Sequence, residues 1–485
     1  MKNARSAWHL ILSTVIALTA GCGLATAEET PQSSPTACLE CHDTWKPERL
    51  SSFESSIHGK VGCTGCHEGM KEYPHTGDAK SAFDACARCH GQASESFAKS
   101  IHALKAGKTA AAFAKQCLAC HGDAHAIAKL PANQPDETAC LRCHGDQESS
   151  RRLGLSPAVF RTYQDSVHGQ KRNLGSKKSP GCVDCHSAHQ VRSSDDPKSQ
   201  IHVANRARTC SLCHLEATQS FALTFSHRPV TWESRPVAYA VSLLYGIAIA
   251  ATILFFITLI SLELASFAVR KLLGKPLPLH DEGHEERFTA VQRLQHALIM
   301  TTFILLVLTG IPLLASDTDR EAGLIRVMGG VETAANIHRI AGFVMILTTL
   351  WHVAWLLRLK ADGRLRATML PSPAEIVELI HQIQNYFLLR DAPPARTGKY
   401  GWMEKFEYWA FGWGLTVMGV TGFVLWFPVL ASSYLPPDAF IVIQLIHGYE
   451  AILATVSIFI WHFYQVHLKP GTFPMNWTWL TGRHR

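Results

Sequence analysis

Seven times the chain repeats Cys-x-x-Cys-His: Cys38, Cys41 and His42; Cys63, Cys66 and His67; Cys86, Cys89 and His90; Cys117, Cys120 and His121; Cys140, Cys143 and His144; Cys182, Cys185 and His186; Cys210, Cys213 and His214. Two thiols three residues apart can add across the two vinyl groups of one haem. The histidine that follows then becomes an iron ligand. A single copy could be half a zinc site or a disulfide. Seven copies, each with its own histidine, point to seven covalent c-type haems. They use all but one of the 15 cysteines and leave Cys22.

Each iron needs a sixth ligand. Between residues 28 and 235 the chain offers eight further histidines: His58, His75, His102, His125, His168, His189, His202 and His227. "FESSIH", "FAKSIH" and "YQDSVH" share an aromatic followed by Ser-[Ile/Val]-His and end at His58, His102 and His168, with "FALTFSH" a looser copy ending at His227. The other three motifs have a histidine soon after: His75, His125 and His189. Four and three make seven distal ligands for seven haems, with His202 spare. Three residues of chain can scarcely wrap from one face of a ring to the other, so His189 is expected to serve a neighbouring haem. Irons with both axial positions filled leave no room for substrate, which favours electron relay over catalysis by these haems.

These motifs must sit on short helices joined by long irregular connections, with the porphyrins supplying most of the core. Residues 1–27 read as a signal peptide: Lys2 and Arg5, an apolar run from Trp8 to Ala20, and Ala25-Thr26-Ala27 as the cleavage site. The alternative is lipidation at Cys22, with Thr19 where a leucine is usual. Export places residues 28–235 in the periplasm, where free thiols would be oxidised. The formal net charge is +7 and there is no long basic run, so nucleic-acid binding is excluded.

From residue 236 the chain turns strongly apolar. Five stretches, at about 237–268, 290–315, 336–358, 406–430 and 438–464, are long enough to span a bilayer. Arg270, Lys271, Lys275 and Arg287 follow the first; Arg358, Lys360, Arg364, Arg366, Arg390, Arg396 and Lys399 follow the third. The remaining loops hold Arg320 and Arg326. That bias puts the basic loops and the C-terminus in the cytoplasm. Histidines in spans are rare and functional. His338 and His352 are 14 apart, and His447 and His462 are 15 apart; each spacing is about four turns, roughly 21–22 Å. Two non-covalent b haems between helices fit this pattern. His338 and His447 share the outer level. His296, His352 and His462 share the inner level, where geometry alone pairs His352 with His462.

"RLQHALIMTTFILLVLTGIPL", "IHRIAGFVMILTTLWH" and "HGYEAILATVSIFIWHFYQVH" resemble the cytochrome b subunits of membrane formate dehydrogenases and nickel hydrogenases. "EKFEYWAFGWGLTVMGVTGFVLWF" and "KPGTFPMNWTWLTG" resemble a subgroup fused to multihaem cytochrome c, such as the menaquinol-oxidising inner-membrane cytochromes of metal-reducing bacteria. The resemblance covers about residues 288–482. It implies His296 with His462 at the inner haem and His338 with His447 at the outer one, with His352 the alternate inner ligand. It also implies a quinone site near the inner haem, which singles out His352 and Glu404. Glu263, Glu407 and His467 lie at the same level, and Glu450 lies near the outer haem.

The expected architecture is all-α: a loop-rich heptahaem cytochrome c domain (28–235), then a five-helix dihaem cytochrome b bundle (236–485) in a bacterial inner membrane. The expected function is oxidation of menaquinol from the quinone pool, with electrons passing through two b haems and seven c haems to periplasmic cytochromes or a periplasmic reductase. The alternatives are the reverse, quinone reduction from a periplasmic donor, and a non-catalytic electron-transfer subunit of a larger complex.

Overall fold

The computed structural model describes residues 38–42, 44–68, 70, 73–75, 85–104, 110–127, 137–152, 154–156, 158–275, 286–316, 319–365, 368–389 and 399–483. Residues 1–27, expected from the sequence to be a signal peptide, and Cys22 with them, lie outside this set. Among the described residues every element is helical, in line with the all-α expectation. The chain divides into two compact units, 1–131 and 132–485.

The first unit holds four Cys-x-x-Cys-His motifs. Where it is described, each motif makes one helical turn, closed by His42 N–H to Cys38 O (3.0 Å), His67 N–H to Cys63 O (2.9 Å) and His90 N–H to Cys86 O (2.8 Å). One turn puts positions i, i+3 and i+4 on one face, so both thiols and the imidazole point the same way. Aliphatic core is scarce. Phe53 is buried, and Trp45 packs edge-on against Phe53 and His125.

The second unit joins three motifs to the apolar helices. We label the long helices α1 (Pro236–Leu272), α2 (Ala290–Leu314), α3 (Val331–Ala361), α4 (Ala374–Leu388), α5 (Trp402–Trp426) and α6 (Pro437–Ser457). Helix α6 runs on as π-helix over Ile458–His462 and Tyr464–Leu468. With that extension, five of the six are long and apolar enough to cross a membrane: α1, α2, α3, α5 and α6. The protein is thus a multi-pass membrane protein.

Local chemistry sets the ends. Pro236 opens α1 where its missing N–H costs nothing. Thr289 and Gln292 form a reciprocal capping box on α2. Helices α2 and α3 pack as one pair and α5 and α6 as another, and α1 lies along α6. Helix α4 is amphipathic in the manner of a helix lying in the membrane interface. Ile376, Val377, Ile380 and Phe387 are exposed while Glu378 and Asn385 are buried. It is pinned by an ion pair from Glu375 to Lys405 and by Trp402 Nε1 donating to Gln382 Oε1 at 2.6 Å.

Helix Val167–Asn173 docks on one end of this bundle. Leu174 packs with Ile325, Val331 and Ala334, Ser176 Oγ donates to Glu332 Oε1 (2.5 Å), and Ser220 Oγ donates to Ser432 O (2.7 Å).

Candidate functional site

The histidines come together in pairs of nearly constant separation. In the first unit the ring centres of His42 and His75 are 6.3 Å apart, those of His58 and His90 6.0 Å, and those of His67 and His125 6.4 Å. In the second unit His168 and His214 are 6.1 Å apart and His186 and His227 6.3 Å. In the apolar bundle His296 and His462 are 6.5 Å apart, and His338 and His447 6.4 Å.

The angle between ring planes is anything but constant, running from 5° for His67 and His125 to 65° for His338 and His447. Direct ring packing would couple distance to angle. Two axial ligands on one iron would not, because each ring can turn about its own metal–nitrogen bond. A metal–imidazole bond of about 2.0 Å, with the ring centre about 1.1 Å behind the nitrogen, sums to about 6.2 Å per pair. The residues present therefore fit a six-coordinate haem iron between each pair.

In the pairs of known partner, the motif histidine meets a histidine from outside its own repeat. His58, which follows the first motif, faces His90 of the third, and His75, after the second, faces His42 of the first. His125, after the fourth, faces His67 of the second. Burial, then the partner imidazole, pushes His168 and His186 down to about 4, so both are neutral near pH 7 and keep a lone pair for a metal.

The repeated serine before these histidines has a local task. Ser56 Oγ accepts from His58 N–H at 3.2 Å and Ser100 Oγ from His102 N–H at 3.3 Å. Ser166 caps the helix that carries His168, accepting from Gly169 N–H at 3.3 Å. The glycine after His58 and after His168 is a signal the sequence reading passed over. A Cβ on Gly59 or Gly169 would collide with the carbonyl of Glu54 or Tyr163. The spare His202 has a role of its own: its Nδ1 accepts from Ala204 N–H at 3.3 Å and caps the helix leading to Cys210.

In the bundle one device occurs twice. Thr309 Oγ donates to Leu305 O at 2.6 Å, leaving its oxygen to accept from His338 Nδ1 at 2.9 Å. Thr421 Oγ donates to Val417 O at 2.7 Å and accepts from His447 Nδ1 at 2.9 Å. Each arrangement places the proton on Nδ1 and leaves Nε2 for a metal. The next residue is glycine both times, because the imidazole lies against it. A Cβ on Gly310 would be 3.0 Å from His338 Cε1, and one on Gly422 3.3 Å from His447 Cε1. Thr162 serves His227 in the same way, at 3.1 Å. The repeated "TG" in "VLTGIP" and "GVTGFV" was the legible trace of this pairing.

The other bundle pair is set differently. His462 Nδ1 meets Glu407 Oε2 at 3.0 Å, while the buried Glu407 Oε1 and His296 Nδ1 have no hydrogen-bond partner among the described residues. His352 is engaged at both nitrogens, Nδ1 by Gln295 Oε1 at 2.9 Å and Nε2 by Tyr408 OH at 3.0 Å. The structure thus brings His462 to His296, the pairing the resemblance implied, and not to His352 as register alone suggested. Glu404 bonds Arg287 at 3.2 Å and accepts from Gly401 N–H at 3.0 Å, holding the start of α5. Glu263 accepts from Tyr464 OH at 2.9 Å and lies 3.7 Å from Lys469. Glu450, buried, accepts from Tyr245 OH at 3.0 Å. His467 Nδ1 lies 3.2 Å from Pro474 O. An apolar groove of about 330 Å³ between α2 and α3, lined by Leu298, Leu305, Ile340 and Val344, has almost no polar surface with which to orient a ligand head group.

Residues 287–472 match the family model described as prokaryotic cytochrome b561. This stretch takes in α2 to α6 and every histidine of the two bundle pairs, and leaves α1 and the Cys-x-x-Cys-His repeats outside. No curated protein matches the chain, and no solved structure does.

Proposed function

We infer that residues 287–472, which match the prokaryotic cytochrome b561 family, form a membrane electron-transfer cytochrome b. We propose that the whole chain is a menaquinol oxidoreductase of the bacterial inner membrane. In it, quinol electrons cross the bilayer by two b haems and leave through seven c haems to a periplasmic cytochrome or reductase. The haems supply the one-electron chemistry. The residues supply place, tuning and proton handling.

His338 with His447 is the proposed outer ligand set, and His296 with His462 the inner one. The fifteen residues from His447 to His462 separate the two levels by about 22 Å along α6. His42, His67, His90, His186 and His214 are proposed to pair with His75, His125, His58, His227 and His168. Within each unit the remaining partners are then His102 for His121 and His189 for His144. Cysteine thioethers at all seven motifs tie each group to the chain.

For the proton-accepting role at the inner level we favour His352, with Glu407 as second acceptor. His352 already exchanges hydrogen bonds with a phenol, Tyr408 OH, of the kind a quinol hydroxyl would make. Glu407 has one buried oxygen without a partner among the described residues. Glu404 is held by a guanidinium and a helix-start amide, which makes it a positioning residue.

The observation that carries the reading is the constant 6.0–6.5 Å spacing of seven histidine pairs at freely varying ring angle. Rapid mixing with a reduced menaquinone analogue tests it. Absorbance of haem b should respond first and that of haem c after it. Haem b that stays oxidised in the presence of the quinol would refute the assignment.

A further inference from the structure

Where the soluble part of the second unit docks on the bundle, each side of the contact carries a cation, Lys171 on the docked helix and Arg339 on α3. His168 sits at the second position of helix Val167–Asn173 and Lys171 lies one turn on. Leu174 follows, 4% exposed, packed against Val331 and against Leu313, which is one turn past Thr309. Gln444, one turn before His447, reaches Asp165 O at 3.5 Å. The His168–His214 pair is therefore held at the end of the bundle that carries His338–His447.

On the bundle side Arg339 follows His338, its guanidinium over the Trp426 ring at 5.9 Å. Lys171 is half-buried, and burial, then Arg339, hold its ammonium below the usual lysine range. The nearby carboxylate, Glu332, accepts from Ser176 Oγ at 2.5 Å. Neither cation has a carboxylate at ion-pair distance among the described residues. Facing cations in a partly desolvated contact repel unless an anion lies between them.

We propose that Lys171 and Arg339 bind haem propionate carboxylates, bridging the group held by His168–His214 to the one held by His338–His447, and that electrons pass between the membrane and soluble cofactors at this point. The inference rests on the ligand reading above. The step is a single electron transfer: one ferrous b haem is oxidised, one ferric c haem is reduced, and no bond or proton moves.

The test is spectroelectrochemical titration of the full-length protein. Wild type and His168→Met, which gives one c haem its own absorption band, are the two backgrounds, with the inner b haem as the distance control. Lys171→Gln is then added to both backgrounds. Removing a positive charge disfavours the reduced state. At fixed potential the reduced-to-oxidised ratio of the outer b haem and of the His168→Met haem should fall about tenfold, the effect of one unit charge at about 12 Å and an effective dielectric near 20. The inner b haem, about 22 Å farther along α6, should change less than about twofold, since over that distance screening removes most of the effect. Lys171→Arg should restore the wild-type ratios. No shift in Lys171→Gln, or an equal shift at the inner b haem, overturns the bridge alone. Fewer than six covalent haems in the wild type, or no extractable haem, overturns the ligand reading and the bridge with it.

Discussion

Glu407→Gln should raise the midpoint potential of one b haem and leave the other alone. The carboxylate lies 3.0 Å from His462 Nδ1, and in the proposed site the opposite nitrogen of that ring binds iron. A carboxylate there strengthens the donor power of the imidazole and stabilises the ferric state. Placing its charge about 7 Å from iron gives about 2.4 kcal/mol at an effective dielectric of 20. At about 1.36 kcal/mol and 59 mV per decade, that is an upward shift of about 100 mV. The outer pair, whose histidines bond to Thr309 and Thr421, lies about 22 Å away along α6 and should move by less than about 20 mV. Potentiometric titration of haem b absorbance, with haem c counted separately, reads both. An unchanged potential at both haems, or equal shifts at both, would refute the assignment of Glu407 to a ligand of one haem.

Other outcomes follow from single contacts. His447→Ala should remove the outer b haem and stop quinol-driven reduction of haem c while dithionite still reduces it; His352→Ala should keep both b haems and slow quinol turnover. Loss of one b haem in His352→Ala with retention in His296→Ala would reverse the inner ligand set. His202→Ala should cost about 1 kcal/mol as a lost helix cap yet keep every c haem low-spin, whereas His168→Ala should yield one high-spin haem by EPR. Lys405 holds the Glu375 carboxyl down to about 2, so this tether of α4 is complete above the ordinary value of 4.5 and is lost as pH falls toward 2. Pepsin should begin to cut α4 across that range, and Lys405→Met should already be cut at pH 4.5; equal cutting of both proteins at pH 4.5 would show that the ion pair does not hold the helix.

What the chain revealed in advance depends on how local each feature is. The Cys-x-x-Cys-His turns and the five apolar spans are set within a few residues or a single helix, and each is found where the pattern places it. The all-α class follows from the same features. Partner choice among histidines was not legible, because His58 meets His90 and His125 meets His67 only through tertiary placement. The inner pair shows the same limit. A regular α-helix turns about 100° per residue, so fifteen residues leave His462 about 60° away from His447. The π-helical turns at Ile458–His462 and Tyr464–Leu468 change that register, and periodicity carries no sign of them. His352 was drawn toward the ligand set by its spacing from His338, but Gln295 and Tyr408 occupy both its nitrogens. The Thr-Gly pairs and the glycines after His58 and His168 were visible in the sequence. Their meaning depends on which side chain arrives from another helix.

Nine haems per chain, seven covalent and two not, is the central expectation, and one determination addresses it directly. Pyridine haemochrome spectra of the purified protein, taken before and after acid–acetone extraction, separate covalent from extractable haem. Seven haems per chain should remain attached and two should be extracted. Fewer than six attached haems, or none extracted, would contradict the account.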